Sequence, residues 1–118
     1  MMLPRYMSCM DSTDPTTTLE LLEPDFRFLI ALPAGDATGA SRDDFAKYIA
    51  GRNAVAREHH LLRSSVDGDT ETVYGVVTEQ GRPVGAFLSA AVISENGLIS
   101  RYQSYFTTAF QLVDWAPR

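Results

Sequence analysis

The run Val84-Gly85-Ala86-Phe87-Leu88-Ser89-Ala90-Ala91-Val92-Ile93 restricts the fold of this chain more than any other stretch. Side chains on a strand point alternately to opposite faces, so a strand with one wet face alternates apolar and polar residues. This run does not alternate. Val84, Ala86, Leu88, Ala90 and Val92 share one face, and Phe87, Ala91 and Ile93 make up most of the other. The sheet that holds it therefore needs a cover on both sides. Asn96-Gly97 follows, two residues that accept positive φ, and predicts a tight hairpin into a closing strand that carries Tyr102, Ser104 and Phe106 on one face and Arg101, Gln103 and Tyr105 on the other.

Two earlier turns extend the pattern. Asp67-Gly68 separates extended runs over 58–66 and 70–79, and Gln80-Gly81-Arg82-Pro83 leads into 84–94, so four strands form an antiparallel meander. Upstream the period is helical. Pro4 suits the first turn of a short helix whose apolar face is Leu3, Tyr6, Met7, Cys9 and Met10. Asp14-Pro15 reads as a cap and first helical residue, opening a second helix over 16–23 that Pro24 stops. Residues 25–32 turn extended, with Phe26, Phe28 and Ile30 on one face, and 33–40 reads as a Gly-, Ala- and Pro-rich loop. Ser41 and Asp44 resemble a capping box for a third helix striped by Phe45, Tyr48 and Ile49 and ended by Gly51. The tail over 114–118 takes no assigned place.

Helices followed by an antiparallel sheet make an α+β sandwich, read here as one domain over 1–118. Three short helices cover one sheet face; the other is most simply covered by a second copy, a homodimer through the sheet. A net charge of −5 argues against nucleic acid as a partner. The single cysteine, Cys9, permits no internal disulfide and fits a cytoplasmic protein, and no leader or apolar run of about 20 residues suggests a membrane.

Three pieces carry a resemblance to a known family. They are Arg5-Tyr6-Met7-Ser8-Cys9-Met10-Asp11-Ser12-Thr13-Asp14, Leu19-Glu20-Leu21-Leu22-Glu23-Pro24-Asp25-Phe26-Arg27-Phe28, and Asn96-Gly97-Leu98-Ile99-Ser100-Arg101-Tyr102-Gln103-Ser104-Tyr105-Phe106. In this order and spacing the chain resembles the nuclear transport factor 2-like superfamily, in its SnoaL-like and ketosteroid-isomerase-like branch. The resemblance implies a cystatin-like α+β fold, a cone-shaped curved antiparallel sheet packed on three N-terminal helices around an apolar pocket. By comparison with ketosteroid isomerase, Tyr6 falls at the enolate-stabilising tyrosine, Ile30 at the catalytic base and Ser89 at the protonated acid. With no carboxylate at Ile30, that mechanism is not expected.

His59 and His60 are the only imidazoles, and neighbours on a strand face opposite ways, so one at most reaches a pocket and the two cannot chelate one metal. The resemblance favours His60 by register, against the plainer reading of a core or interface histidine. The expected catalytic set is His60 as base with Tyr6 and Tyr102 as donors. The expected ligand wall is Phe28, Ile30, Tyr48, Ser89, Ser104 and Phe106, with no metal and no cofactor. Implied is a small apolar, carbonyl-bearing ligand, polyketide- or steroid-like, with isomerase, cyclase or dehydratase chemistry. The alternative is a catalytically silent binding or dimerisation module of the same fold.

Overall fold

A computed structural model describes residues 1–53 and 55–117; Arg118, the end of the expected tail, lies outside them. The elements are α1 (Leu3–Asp11), a 3₁₀ helix (Pro15–Leu21), β1 (Leu22–Leu32), β2 (Gly35–Gly39), α2 (Arg42–Ala50), β3 (Arg57–Asp67), β4 (Thr70–Glu79), β5 (Arg82–Ile93) and β6 (Ile99–Thr107). Three helices pack against one face of a six-stranded sheet of order β2-β1-β6-β5-β4-β3.

The cone-shaped antiparallel sheet expected from the sequence is corrected in two respects. The sheet is open, with β2 and β3 as its edges, and it is not strongly curled. It is also mixed: β1 runs parallel to β6, with Phe28 beside Tyr102 and Ile30 beside Ser104, while the remaining pairs are antiparallel. A parallel neighbour needs a long crossover, and here α2 and the whole meander supply it. The expected loop over 33–40 holds β2, whose Gly35 pairs with Leu32 across the two residues Pro33 and Ala34. The second helix is 3₁₀ and stops at Leu21, since Leu22 is already paired with Ile99 before Pro24 is reached.

The turns also differ from their expected chemistry. Among the described residues, Gln80 is the one non-glycine with positive φ, and with Gly81 it makes the two-residue turn between β4 and β5. Asn96 keeps negative φ. Gly97 alone turns left-handed, closing a three-residue loop in which its N–H donates to the Ser94 carbonyl and Ser94 N–H donates to Leu98. The Asn96 side chain instead donates to Glu23 at 3.0 Å, beside Ser94 Oγ at 2.6 Å. These two hydrogen bonds lower the Glu23 pKa and tie the start of β1 to the β5–β6 turn.

The core lies between helices and sheet. Phe45 of α2 is fully buried and meets Phe26 and Phe28 edge-on, at centroid distances of 5.4 and 5.0 Å. Edge-to-face pairs set the positive rim of one ring on the negative face of another. Glu71 reads from sequence as a solvated turn charge. In the structure it is buried and accepts the main-chain N–H groups of Met2 and Leu3 at 2.8 Å, supplying from β4 the acceptors that the first turn of α1 lacks.

The outer face is covered in part by the chain's own C-terminus. Leu112 N–H donates to the Tyr74 hydroxyl, and the Trp115 ring stacks on His60 at 4.5 Å. Val76 and Ala86, cross-strand partners on this face, are buried although they stand apart from the main core. Further along the same face Leu88 and Tyr105 are partners and are about half exposed.

Candidate functional site

A cavity of about 470 Å³ opens between α1, the C-terminal end of α2 and the inner face of the sheet. Its size lies within the range of small-molecule sites. Helix α1 lends it Tyr6, Met7 and Met10, residues that share an apolar face because they recur at helical spacing. Ile30 comes from β1, Phe87 from β5, and Tyr102, Ser104 and Phe106 from β6. Gly75 makes room for this wall: a Cβ there would stand 2.8 Å from the Phe87 ring and 2.1 Å from the His60 carbonyl oxygen.

The inner wall carries a chain of hydroxyls. Tyr102 OH lies 3.0 Å from Ser89 Oγ, which lies 2.8 Å from Ser104 Oγ. Alternation on adjacent strands produces this directly, since Ser89 and Ser104 are cross-strand partners and Ala91 faces Tyr102. Burial pushes the Tyr102 phenol above its ordinary value of 10.0, against the opposing hydrogen bonds of Ser104, Ser89 and Tyr6. Tyr6, its ring 4.6 Å from that of Tyr102, is pushed well above the same value, first by burial and then by the neighbouring tyrosines, with Arg52 opposing. Both phenols are therefore neutral near pH 7 and act as hydrogen-bond donors rather than bases.

A His–Asp pair stands on β3. His59 Nδ1 lies 2.7 Å from Asp11 Oδ1, and the His59 main-chain N–H donates to Asp11 Oδ2 at 2.6 Å. Asp11 is the last residue of α1, so helix and strand meet through one carboxylate engaged at both oxygens. In the neutral imidazole a carboxylate at Nδ1 places the proton on that nitrogen, and Nε2 has no partner among the described residues. The imidazole borders the cavity and sits edge-on to Phe87 at 5.0 Å.

The expected residues are distributed as follows. Tyr6, Ile30, Tyr48, Tyr102, Ser104 and Phe106 line the cavity. Ser89 is fully buried behind Tyr102 and Ser104, and reaches the cavity only through their hydroxyls. Phe28 packs between Phe26 and Phe45, away from the cavity lining. His60 is on the opposite face of the sheet, with Nε2 2.9 Å from Thr78 Oγ1 and its ring under Trp115. His59 pairs with Val77 and His60 with Val76, and that difference of one residue selects the face.

Sequence reasoning missed Asp11, which reads as part of a small-residue turn, because no local pattern links it to a strand begun 46 residues later. Arg52 and Lys47, which also line the cavity, carry no sequence pattern that marks them as site residues. Among the described residues no three His, Cys, Asp or Glu side chains gather into a metal-ligating group.

No protein-family model matches the chain, and no curated protein does. Solved structures do match. A SnoaL-like family protein from Agrobacterium tumefaciens str. C58 superposes with a TM-score of 0.75 at 13% identity, over 90% of this chain and 94% of that one. A protein with a ketosteroid isomerase-like fold from Catenulispora acidiphila DSM 44928, in complex with trimethylamine, gives 0.75 at 18%, over 90% and 85%. A protein from Sinorhizobium meliloti, provisionally named a polyketide cyclase, gives 0.68 at 21%, over 87% and 92%. At these identities the likeness is one of fold, and the chain has the nuclear transport factor 2-like fold of the SnoaL and ketosteroid isomerase proteins. No helix of the described residues is long and apolar enough to cross a membrane.

Proposed function

We propose that the cavity binds a small apolar molecule bearing a carbonyl and catalyses proton transfer next to that carbonyl, as a step of isomerisation, cyclisation or dehydration. The observation that carries this reading is the His59–Asp11 pair at the cavity wall, with no partner at Nε2 among the described residues. Nε2 would take the proton α to the carbonyl, and Asp11 would stabilise the imidazolium that results. The enolate oxygen would receive hydrogen bonds from Tyr102 and Tyr6, buried neutral donors on the cavity wall. The Ser89–Ser104 chain behind Tyr102 would steady its hydroxyl as charge develops. The base is thus assigned to His59 in place of His60, whose ring lies on the other side of the sheet.

A second reading, a binding module without turnover, is favoured by Ile30, which stands in the cavity wall where a carboxylate base is expected by resemblance. Exchange of the α-hydrogens of tetralone in deuterated water separates the two. Catalysed exchange that falls by about 10²–10⁴-fold in His59→Gln supports proton transfer. Bound tetralone with no exchange above buffer rate leaves the binding module.

The half-exposed pair Leu88 and Tyr105 would be covered by a second copy, beside the area already taken by Leu112 and Trp115. A monomer mass by light scattering at micromolar concentration would sink that assembly.

A further inference from the structure

The mouth of the cavity has a chemistry that its walls do not share. Lys47, Arg52 and Arg57 border it, opposed by a single acidic residue, Glu79. Glu79 is already engaged, 3.2 Å from Arg57. Lys47 and Arg52 remain without a carboxylate partner among the described residues, in a chain whose net charge is −5. Arg52 is the more telling of the two. It is half-buried, its guanidinium lies 5.9 Å from the Tyr48 ring centroid, and one N–H points at the Met10 sulfur at 3.8 Å. A ring face and a thioether hold the group in place but compensate little of its charge, and most of its five donors have no partner among the described residues. Arg52, Tyr6 and Tyr102 line the same cavity.

We propose that this mouth is a carboxylate subsite: Arg52, assisted by Lys47, binds the anionic end of a ligand whose apolar body lies over Met7, Met10 and Phe87. The proposal rests on the cavity being a ligand pocket, and extends it from an apolar ketone to an apolar keto acid. A planar guanidinium held over a ring presents paired N–H groups that match the two oxygens of a carboxylate. Lys47, exposed at the rim, adds a point charge that raises the local concentration of anions against the acidic average of the surface. The ligand would enter body first, leaving its charged end beside water, so that no charge is carried into the apolar interior.

Displacement of the neutral dye phenylnaphthylamine tests this, with naphthoate and the uncharged ketone acetonaphthone as competitors of one ring skeleton. The readout is the ratio of their displacement constants, in which dye affinity cancels. Naphthoate is expected to displace the dye about tenfold more tightly, equivalent to about 1.4 kcal/mol. Arg52→Gln should abolish that preference, Arg52→Lys should keep most of it, and Lys47→Gln should reduce it about threefold. Added salt should narrow it. Equal displacement by the two competitors, or a preference that survives Arg52→Gln, overturns the subsite while leaving the pocket in place. A dye displaced by neither overturns the pocket and the subsite together. Loss of tetralone exchange bears on His59 alone and leaves this ratio unmoved.

Discussion

His59 and His60 are adjacent in the chain and live in different chemistries. The inner-face imidazole is held at Nδ1 by a helix carboxylate and belongs to a residue that lines the cavity. The outer-face imidazole is capped by an indole and bonded to a threonine. The same division runs across the sheet. Inward positions build a core and a cavity wall from residues such as Val73, Phe87, Ser89 and Tyr102, whereas outward ones meet the chain's own tail or solvent. A strand lends its two faces to unrelated tasks because its side chains have a period of two. The division teaches that residue type says little here until its parity is known.

The largest expected break lies on the inner face. Phe45→Ala removes the ring that four aromatic neighbours pack against, and should cost about 3–5 kcal/mol in urea unfolding. Leu88→Ala on the outer face should change monomer stability by about 0.5 kcal/mol or less. Comparable losses in the two variants would erase the contrast.

A smaller effect concerns pH. The folded-state pKa values of Tyr6 and Tyr102 lie above their ordinary value of 10.0. Above that pH the unfolded chain gives up its phenolic protons first, so it binds fewer protons than the folded one, and stability falls with rising pH. Below pH 10 these two groups contribute no slope. The double variant Tyr6→Phe, Tyr102→Phe should therefore show a flatter alkaline limb in denaturation measured against pH. An unchanged limb would contradict their burial.

The last effect is assigned to the outer side. Trp115→Ala removes the stack on His60 and should cost about 0.5–1.5 kcal/mol, with tetralone exchange unaltered. Exchange that fell with it would show the two faces to be coupled.

Much of the fold is legible in local pattern. The bounds of β4 follow from flanking turns, α1 from the spacing of Leu3, Tyr6, Met7 and Met10, and α2 from its Ser41 cap. What escapes is the part that local pattern does not encode. Strand β2 is Gly-Asp-Ala-Thr-Gly, with no large apolar residue to mark it, and exists because β1 offers it an edge. The parallel pairing of β1 with β6 joins distant segments and leaves no mark in either. In the site, Tyr102, Ser104 and Phe106 share a face by simple alternation. The facing of His59 is harder to read, because Leu61 and Leu62 follow it and both parities look apolar up to the irregularity between Leu61 and Arg63. Asp11 acquires its meaning only when α1 is laid against β3.

The parallel seam between β1 and β6 has a consequence for how the protein is made. On the ribosome β1 emerges before the meander and β6 after β3, β4 and β5, so one edge of β1 waits unpaired while the strands between them are synthesised. Contacts of such sequence separation are slow to form. The nine residues that close the seam are also those that bring Tyr102 and Ser104. A nascent chain short of them would have neither a finished sheet nor the hydroxyl wall of its cavity, so the cavity takes its shape only when β6 docks beside β1.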